Sequence, residues 1–469
     1  MCSKAFQNGI STPGWHAHKF NSIFQSIDNL TSMAEPLKKT ISFFALTMIA
    51  VGSSIGSGIF ISPSDVAGQL ATGGQVLLVW LIGGVVALTG ALSFAELSSR
   101  FPGTGGVYIY LREAYGDLVA FLYGWSILTV ITSGAIAALC IGFARYVSIL
   151  FDLPETVQIP LALSALLCVT LINVVGVRWS AIFSSFMTVL KVAGIGIIVI
   201  VCLSYGQNLS ENLGLQTAVT GKVSFGLALI GVLWSYGGWH HASYVGGEVI
   251  NARKILPKAL IAGALIVTAT YLLVNVAYLS VLTIGEIAAS KAVATDALLK
   301  VTTTGGMLVA VLIALSTFGT AGIFTLSAPR IYFAMGDDKV FFPWLADIHK
   351  VFGTPVKAII LQSGWAAILL IFWGTFESLA TYVVFMDWIF MTLAAAGLFL
   401  FRKNAASESE TAYRVPFYPV TPLIFIGISC WFLVSTLIGR PTQALAGLIL
   451  MILGLPFYYA FKNAKRKVS

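Results

Sequence analysis

Apolar runs long enough to cross a bilayer recur from one end of the chain to the other, and no other feature restricts the fold as strongly. A crossing takes about 20 mostly apolar residues in a helix, because in lipid every backbone N–H and C=O must be satisfied within the protein. Such runs fall at 41–67, 75–98, 117–150, 157–176, 179–205, 222–248, 258–284, 304–334, 356–374, 377–402, 416–438 and 442–461. They predict an all-α polytopic membrane protein of about twelve helices. Only 10% of the 469 residues are charged and 58% are hydrophobic, whereas a soluble domain is about 25% charged. The net charge of +8 does not point to nucleic acid, because lysine and arginine collect in alternate loops. With an internal N-terminus, only Arg145, Lys222, Lys291, Lys300 and Arg440 fall outside, so both termini are expected in the cytoplasm.

The segment 1–40 is polar and lacks the apolar core of a signal peptide. It is expected to be a cytoplasmic N-terminal tail, and 463–469 a C-terminal one. Cys2, Cys140, Cys168, Cys202 and Cys430 lie in that tail or inside apolar runs. They offer neither a disulfide framework nor metal-ligand spacing, so no metal and no cofactor are expected.

Two runs are interrupted. Residues 51–61 read VGSSIGSGIFI in the middle of the first run, and 233–242 read LWSYGGWHHA in the sixth. Glycine costs about 1 kcal/mol against alanine in a helix interior, so clustering it at mid-membrane suggests a helix meant to open. Irregular backbone at that depth is tolerated where it lines a cavity or is buried in protein. A close small-xxx-small helix crossing would use Gly52 and Gly56 equally well. Two glycine-interrupted spans in corresponding positions of two halves favour a transporter's substrate site.

Five spans cover 41–205 and five more cover 222–402. An odd number per half makes the second half enter from the opposite side, which is an inverted repeat. The last two spans, 416–462, fall outside it. Two loops look structured: an inner one at 100–115, a Pro/Gly turn leading into an amphipathic stretch expected at the membrane interface, and an outer one at 285–301, expected to form a short helix.

The chain resembles the amino acid, polyamine and organocation transporter superfamily and, within it, bacterial-type members of the L-type amino acid transporter branch. The resemblance rests on ordered motifs: GSSIGSGIF at 52–60, AELSSRFPGTGGVYIYLREAYG at 95–116, YGGW at 236–239, GEVINARKILPKAL at 247–260, APRIYFAMGDDKVFFPWLADIHKVFGTPVKA at 328–358, YVVFMDWIF at 382–390 and YRVPFYPVTPLIFI at 413–426. It implies the leucine-transporter-like 5+5 inverted repeat plus two C-terminal helices, with alternating access around a site between the first and sixth spans.

An amino acid backbone is a zwitterion, and a broken helix offers free N–H groups at its new N-terminus and free carbonyls at the end before it. The resemblance implies that the substrate carboxylate lies against Gly56, Ser57 and Gly58. It places the ammonium at the carbonyls of Ser54, Trp234, Ser235 and Gly237, and makes Trp234 the aromatic gate. It further implies that Lys191 stands where relatives use sodium, bridging the first span to Ser316 and Thr320 of the eighth. His240 and His241 depart from the family pattern of an amide followed by an aromatic. Two readings of His240 stand: a neutral imidazole bonded to a neighbouring helix, or direct substrate contact. Glu96, Arg100, Glu248, Arg330 and Asp387 are expected to pair at an inner gate.

The expected function is secondary transport of L-amino acids across the cell membrane, neutral ones because no carboxylate lies in either broken stretch, and by exchange. The alternatives are a proton-coupled uptake permease and, more remotely, a sensor that does not transport. An enzyme is not expected, because the intramembrane residues form no nucleophile constellation or metal cluster. Relatives in the branch are often tethered to a glycoprotein through a Cys after the third span. Here 151–160 reads FDLPETVQIP, so no disulfide-linked heavy subunit is expected.

Overall fold

The computed structural model describes residues 37–213, 223–373, 376–403 and 413–468. Most of the expected N-terminal tail therefore lies outside the described residues. Those described are almost wholly helical, with a single isolated bridge between Ile41 and Val249.

The first span is two helices, α1 (Phe43–Ser54) and α2 (Gly58–Ala67), whose axes are bent by 40°. Then come α3 (Gly73–Arg100), the amphipathic α4 (Val107–Tyr115), α5 (Asp117–Leu150), α6 (Gln158–Val175) and α7 (Val177–Tyr205). The sixth span is α8 (Phe225–Tyr236) followed by the one-turn α9 (His241–Tyr244). Beyond it run α10 (Ala252–Val281), α11 (Gly305–Ser327), α12 (Pro329–Asp337), α13 (Val356–Trp373), α14 (Phe376–Lys403), α15 (Val420–Gly439), α16 (Pro441–Ile452) and α17 (Gly454–Val468). Among the described residues, nine helices are long and apolar enough to cross a membrane, and the bent α1–α2 pair makes a tenth. The apolar helices at Phe225–Tyr236 and Val356–Phe372 are shorter. They occupy the expected sixth and ninth spans.

Local sequence explains where helices begin. Ser42, Thr72 and Ser224 each accept a hydrogen bond from the backbone N–H three residues on, capping α1, α3 and α8. The inner loop forms a helix as expected, yet α4 is docked rather than lying free at the interface. It buries Val107, Tyr108, Tyr110 and Leu111. The Tyr108 hydroxyl donates to Asp338 Oδ2 at 2.8 Å, and Arg112 pairs with the same carboxylate. The outer loop folds as two short helices, Ile284–Ala289 and Val293–Leu299. Glu286 closes a capping box with Thr283, and its hydrogen bond from Lys300, 2.6 Å away, holds its carboxyl below the usual range.

The buried ion pairs clamp helices that are distant in sequence. Glu96 of α3 is bound by Arg100 at 2.8 Å, by Arg402 of α14 at 2.5 Å and by the backbone N–H of Val415 at 2.8 Å. Glu248 and Arg330 form a two-pronged pair at 3.1 and 3.0 Å, with both side chains 0% exposed. The backbone N–H groups of Thr40 and Ile41 donate to Glu248 O, and that of Ile250 to Ile41 O. The residues before α1 are thereby tied to those after α9. Asp387 joins neither pair.

Candidate functional site

The two interrupted spans meet. α1 ends at Ser54, and Ile55–Ser57 lie outside either helix before α2 starts. A helix end leaves four carbonyls without intrahelical partners, and here side chains from three other helices take them up. The Lys191 ammonium, buried on α7, shares its three N–H donors among Gly52 O at 3.0 Å, Ile55 O at 2.7 Å, Ser316 O at 3.3 Å and Thr320 Oγ1 at 2.9 Å. The Thr320 hydroxyl lies within reach of the same three carbonyls, and Ser316 Oγ donates to Gly56 O at 2.9 Å. Lys191, Ser316 and Thr320 thus stand together at the break.

The sixth span opens at Gly237 and Gly238. Gly238 has φ +101°, and a Cβ there would sit 2.4 Å from Ser53 O. Only glycine meets both conditions. The close approach is locked by the Ser53 hydroxyl, which donates to Gly238 O at 2.8 Å. From α10, the Tyr271 hydroxyl reaches Ser54 O at 2.9 Å and Ser235 O at 2.8 Å. One hydroxyl proton serves two carbonyls, one from each broken span.

Around this junction lies a cavity of about 60 Å³. A water needs about 10–15 Å³ by this measure, so the space suits several waters or a small solute. Ser54, Gly56, Ser57, Gly58, Trp234, Ser235 and Gly237 all line it, together with Thr320. The Ser57 hydroxyl has no hydrogen-bond partner among the described residues, and the N–H groups of Gly58 and Ile59 at the start of α2 have no intrahelical acceptors, whereas that of Phe60 donates to Ser57 O at 3.1 Å. The arrangement therefore presents donors on one broken helix beside acceptors on both, which suits a zwitterion.

The two adjacent histidines are placed differently. His241 lines the cavity, with Nδ1 2.7 Å from Ser327 Oγ and its ring stacked on Phe324 at 4.3 Å. His240 does not line it. Its Nε2 lies 3.4 Å from Asp387 Oδ2.

Two residues were not assigned to the site from sequence. Tyr271 gave no signal, being one aromatic in an apolar run. Asp387 was expected at the inner gate, but α14 carries it to the cavity wall with Val383, Val384 and Trp388. A carboxylate thus reaches the site although neither broken stretch contains one.

Tyr271→Phe would remove the donor shared by Ser54 O and Ser235 O while keeping the ring packed against Trp80 and Tyr236. A buried hydrogen bond contributes about 1–1.5 kcal/mol, so amino acid flux in proteoliposomes is expected to fall about ten-fold. Unchanged flux would remove Tyr271 from the site.

The family model described as amino acid permease matches residues 41–456. The serine/threonine exchanger SteT of Bacillus subtilis (strain 168) is 35% identical over 441 residues, covering 92% of this chain and 98% of SteT. The human b(0,+)-type amino acid transporter 1 is 33% identical over 449 residues, covering 94% and 91% of the two chains. The human cystine/glutamate transporter is 30% identical over 478 residues, covering 98% and 93%.

Proposed function

Because this chain belongs to the amino acid permease family, we propose that it exchanges small L-amino acids, neutral ones foremost, across the cell membrane by alternating access. The observation that carries the reading is the junction of two broken spans around one cavity, with Lys191 fixed at the break. The substrate carboxylate is held by the N–H groups at the start of α2, and the ammonium by carbonyls that include those of Ser54 and Ser235. Tyr271 shares those carbonyls, and each has a second lone pair for the substrate. Lys191 supplies a fixed positive charge at the point where a co-transported cation would sit, so the cycle needs no ion to move with substrate.

The ties between Ser53 and Gly238 and between Ile41 and Val249 support α1 and the α9 segment moving as one body. That motion suits two inverted repeats, 41–205 and 222–402, followed by two further spans, twelve in all. Both termini face the cytoplasm in this proposal, and the chain works without a heavy subunit.

The test is radiolabelled uptake by the purified chain in liposomes. Uptake is expected only when amino acid is present inside. Accumulation into empty liposomes under an inward proton gradient would replace exchange by proton coupling. Inactivity until a second subunit is added would overturn self-sufficiency.

A further inference from the structure

Among the described residues lining the cavity, Asp387 is the one acidic residue, and none of the described residues satisfies its carboxylate fully. Its Oδ1 is buried and has no hydrogen-bond partner. Its Oδ2 has only His240 Nε2 nearby, at 3.4 Å, which is beyond the range of a good hydrogen bond. The histidine gains no more from the contact, since neither His240 nitrogen makes a hydrogen bond. More than about 90% of buried polar groups in folded proteins have partners, so an unsatisfied carboxylate at the cavity wall, with an unsatisfied imidazole beside it, points to a ligand. A purely structural ion pair would show short contacts, as Glu248 and Arg330 do at 3.1 and 3.0 Å.

The surroundings restrict that ligand. Val383, Val384, Trp388, Ala135 and Leu139 add apolar lining to the cavity, and its volume of about 60 Å³ suits a small solute. Thr132 adds a further hydroxyl without a hydrogen-bond partner. A carboxylate accepts and, when ionised, does not donate, so the fitting group is a donor close to the substrate Cα.

We propose that Asp387 is the side-chain specificity residue of this cavity and selects small amino acids bearing a side-chain hydrogen-bond donor, with serine and threonine as the best fit. His240 lies beside that carboxylate without a hydrogen bond to it. The assignment rests on the amino acid exchange proposed above and deepens it.

Isosteric pairs isolate the donor: serine against 2-aminobutyrate, and threonine against valine, each differing by hydroxyl for methyl. In exchange assays with the full chain in liposomes, wild type is expected to prefer the hydroxyl member of each pair by about ten-fold or more, as a hydrogen bond to a charged group predicts. Asp387→Leu is expected to bring both ratios within about two-fold of unity. Should that variant fail to fold, Asp387→Asn carries the test, since losing the charge should weaken the preference several-fold. Equal handling of the two members by wild type, or unchanged ratios in the variant that folds, would overturn the assignment while leaving exchange intact. No exchange of any amino acid by wild type would overturn the transport reading and the assignment with it.

Discussion

Lys191→Met is expected to abolish exchange, with flux falling at least about 100-fold, equivalent to about 3 kcal/mol. The ammonium holds Gly52 O, Ile55 O and Ser316 O together with Thr320 Oγ1 at 2.7–3.3 Å. It therefore joins α1 to α11 at the point where α1 ends. Methionine keeps most of the length of the side chain and removes every one of these donors. Charged hydrogen bonds contribute about 1.5–3 kcal/mol each, although the loss is less than their sum. The Thr320 hydroxyl and Ser316 Oγ reach some of the same carbonyls and can recover part of it. What they cannot recover is the positive charge facing the end of α1, where the helix dipole is negative. Exchange is measured in liposomes, with the unfolding temperature in detergent as a parallel readout. Near-normal exchange by a folded Lys191→Met protein would remove the fixed-cation role.

How much of this site could be read in the sequence depended on whether a residue was anomalous in its own segment. Glycine and serine clustered inside a long apolar run are anomalous, and both breaks were legible. So was Lys191, a cation about midway along a membrane helix, and the resemblance placed Ser316 and Thr320 beside it. Tyr271 and Asp387 were not legible because their roles come from packing. Tyr271 acts by reaching two carbonyls that are 181 positions apart in the chain, residues 54 and 235. Asp387 was placed at a gate by its motif, whereas α14 carries it to the cavity wall. The histidines show a further limit. Helical periodicity does not carry through Gly238 at φ +101°, so which of His240 and His241 faces the cavity could not follow from spacing. The partners of Glu96 are of the same kind, since Arg402 and Val415 approach it from more than 300 residues away.

Gly58→Val is expected to leave no detectable exchange in a chain that still inserts, because insertion follows from the apolar spans. The resemblance implied one reason for glycine here, access of substrate to backbone N–H groups, and the geometry adds a second, close packing of helices. Gly58 lines the cavity at the first turn of α2. A Cβ on it would lie 2.7 Å from Ser235 Oγ and 3.0 Å from Ser235 Cα. The hydroxyl could rotate away, giving up its hydrogen bond to Gly231 O, but the backbone carbon of α8 cannot. Valine adds two more methyl groups at this point, so α2 and α8 must separate. Their separation moves the N–H donors at the start of α2 away from Ser235 O, one of the acceptors proposed for the ammonium. Gly56→Ala is the control. Its Cβ would meet nothing closer than 3.8 Å, so exchange within about three-fold of wild type is expected, equivalent to less than about 1 kcal/mol. The comparison is read as exchange rate and substrate affinity in detergent-purified, monodisperse protein. Retained affinity in a well-folded Gly58→Val protein would place the substrate carboxylate elsewhere. Equal loss in both variants would mean that any side chain at the break is excluded, and that contact with Ser235 does not set the requirement at Gly58.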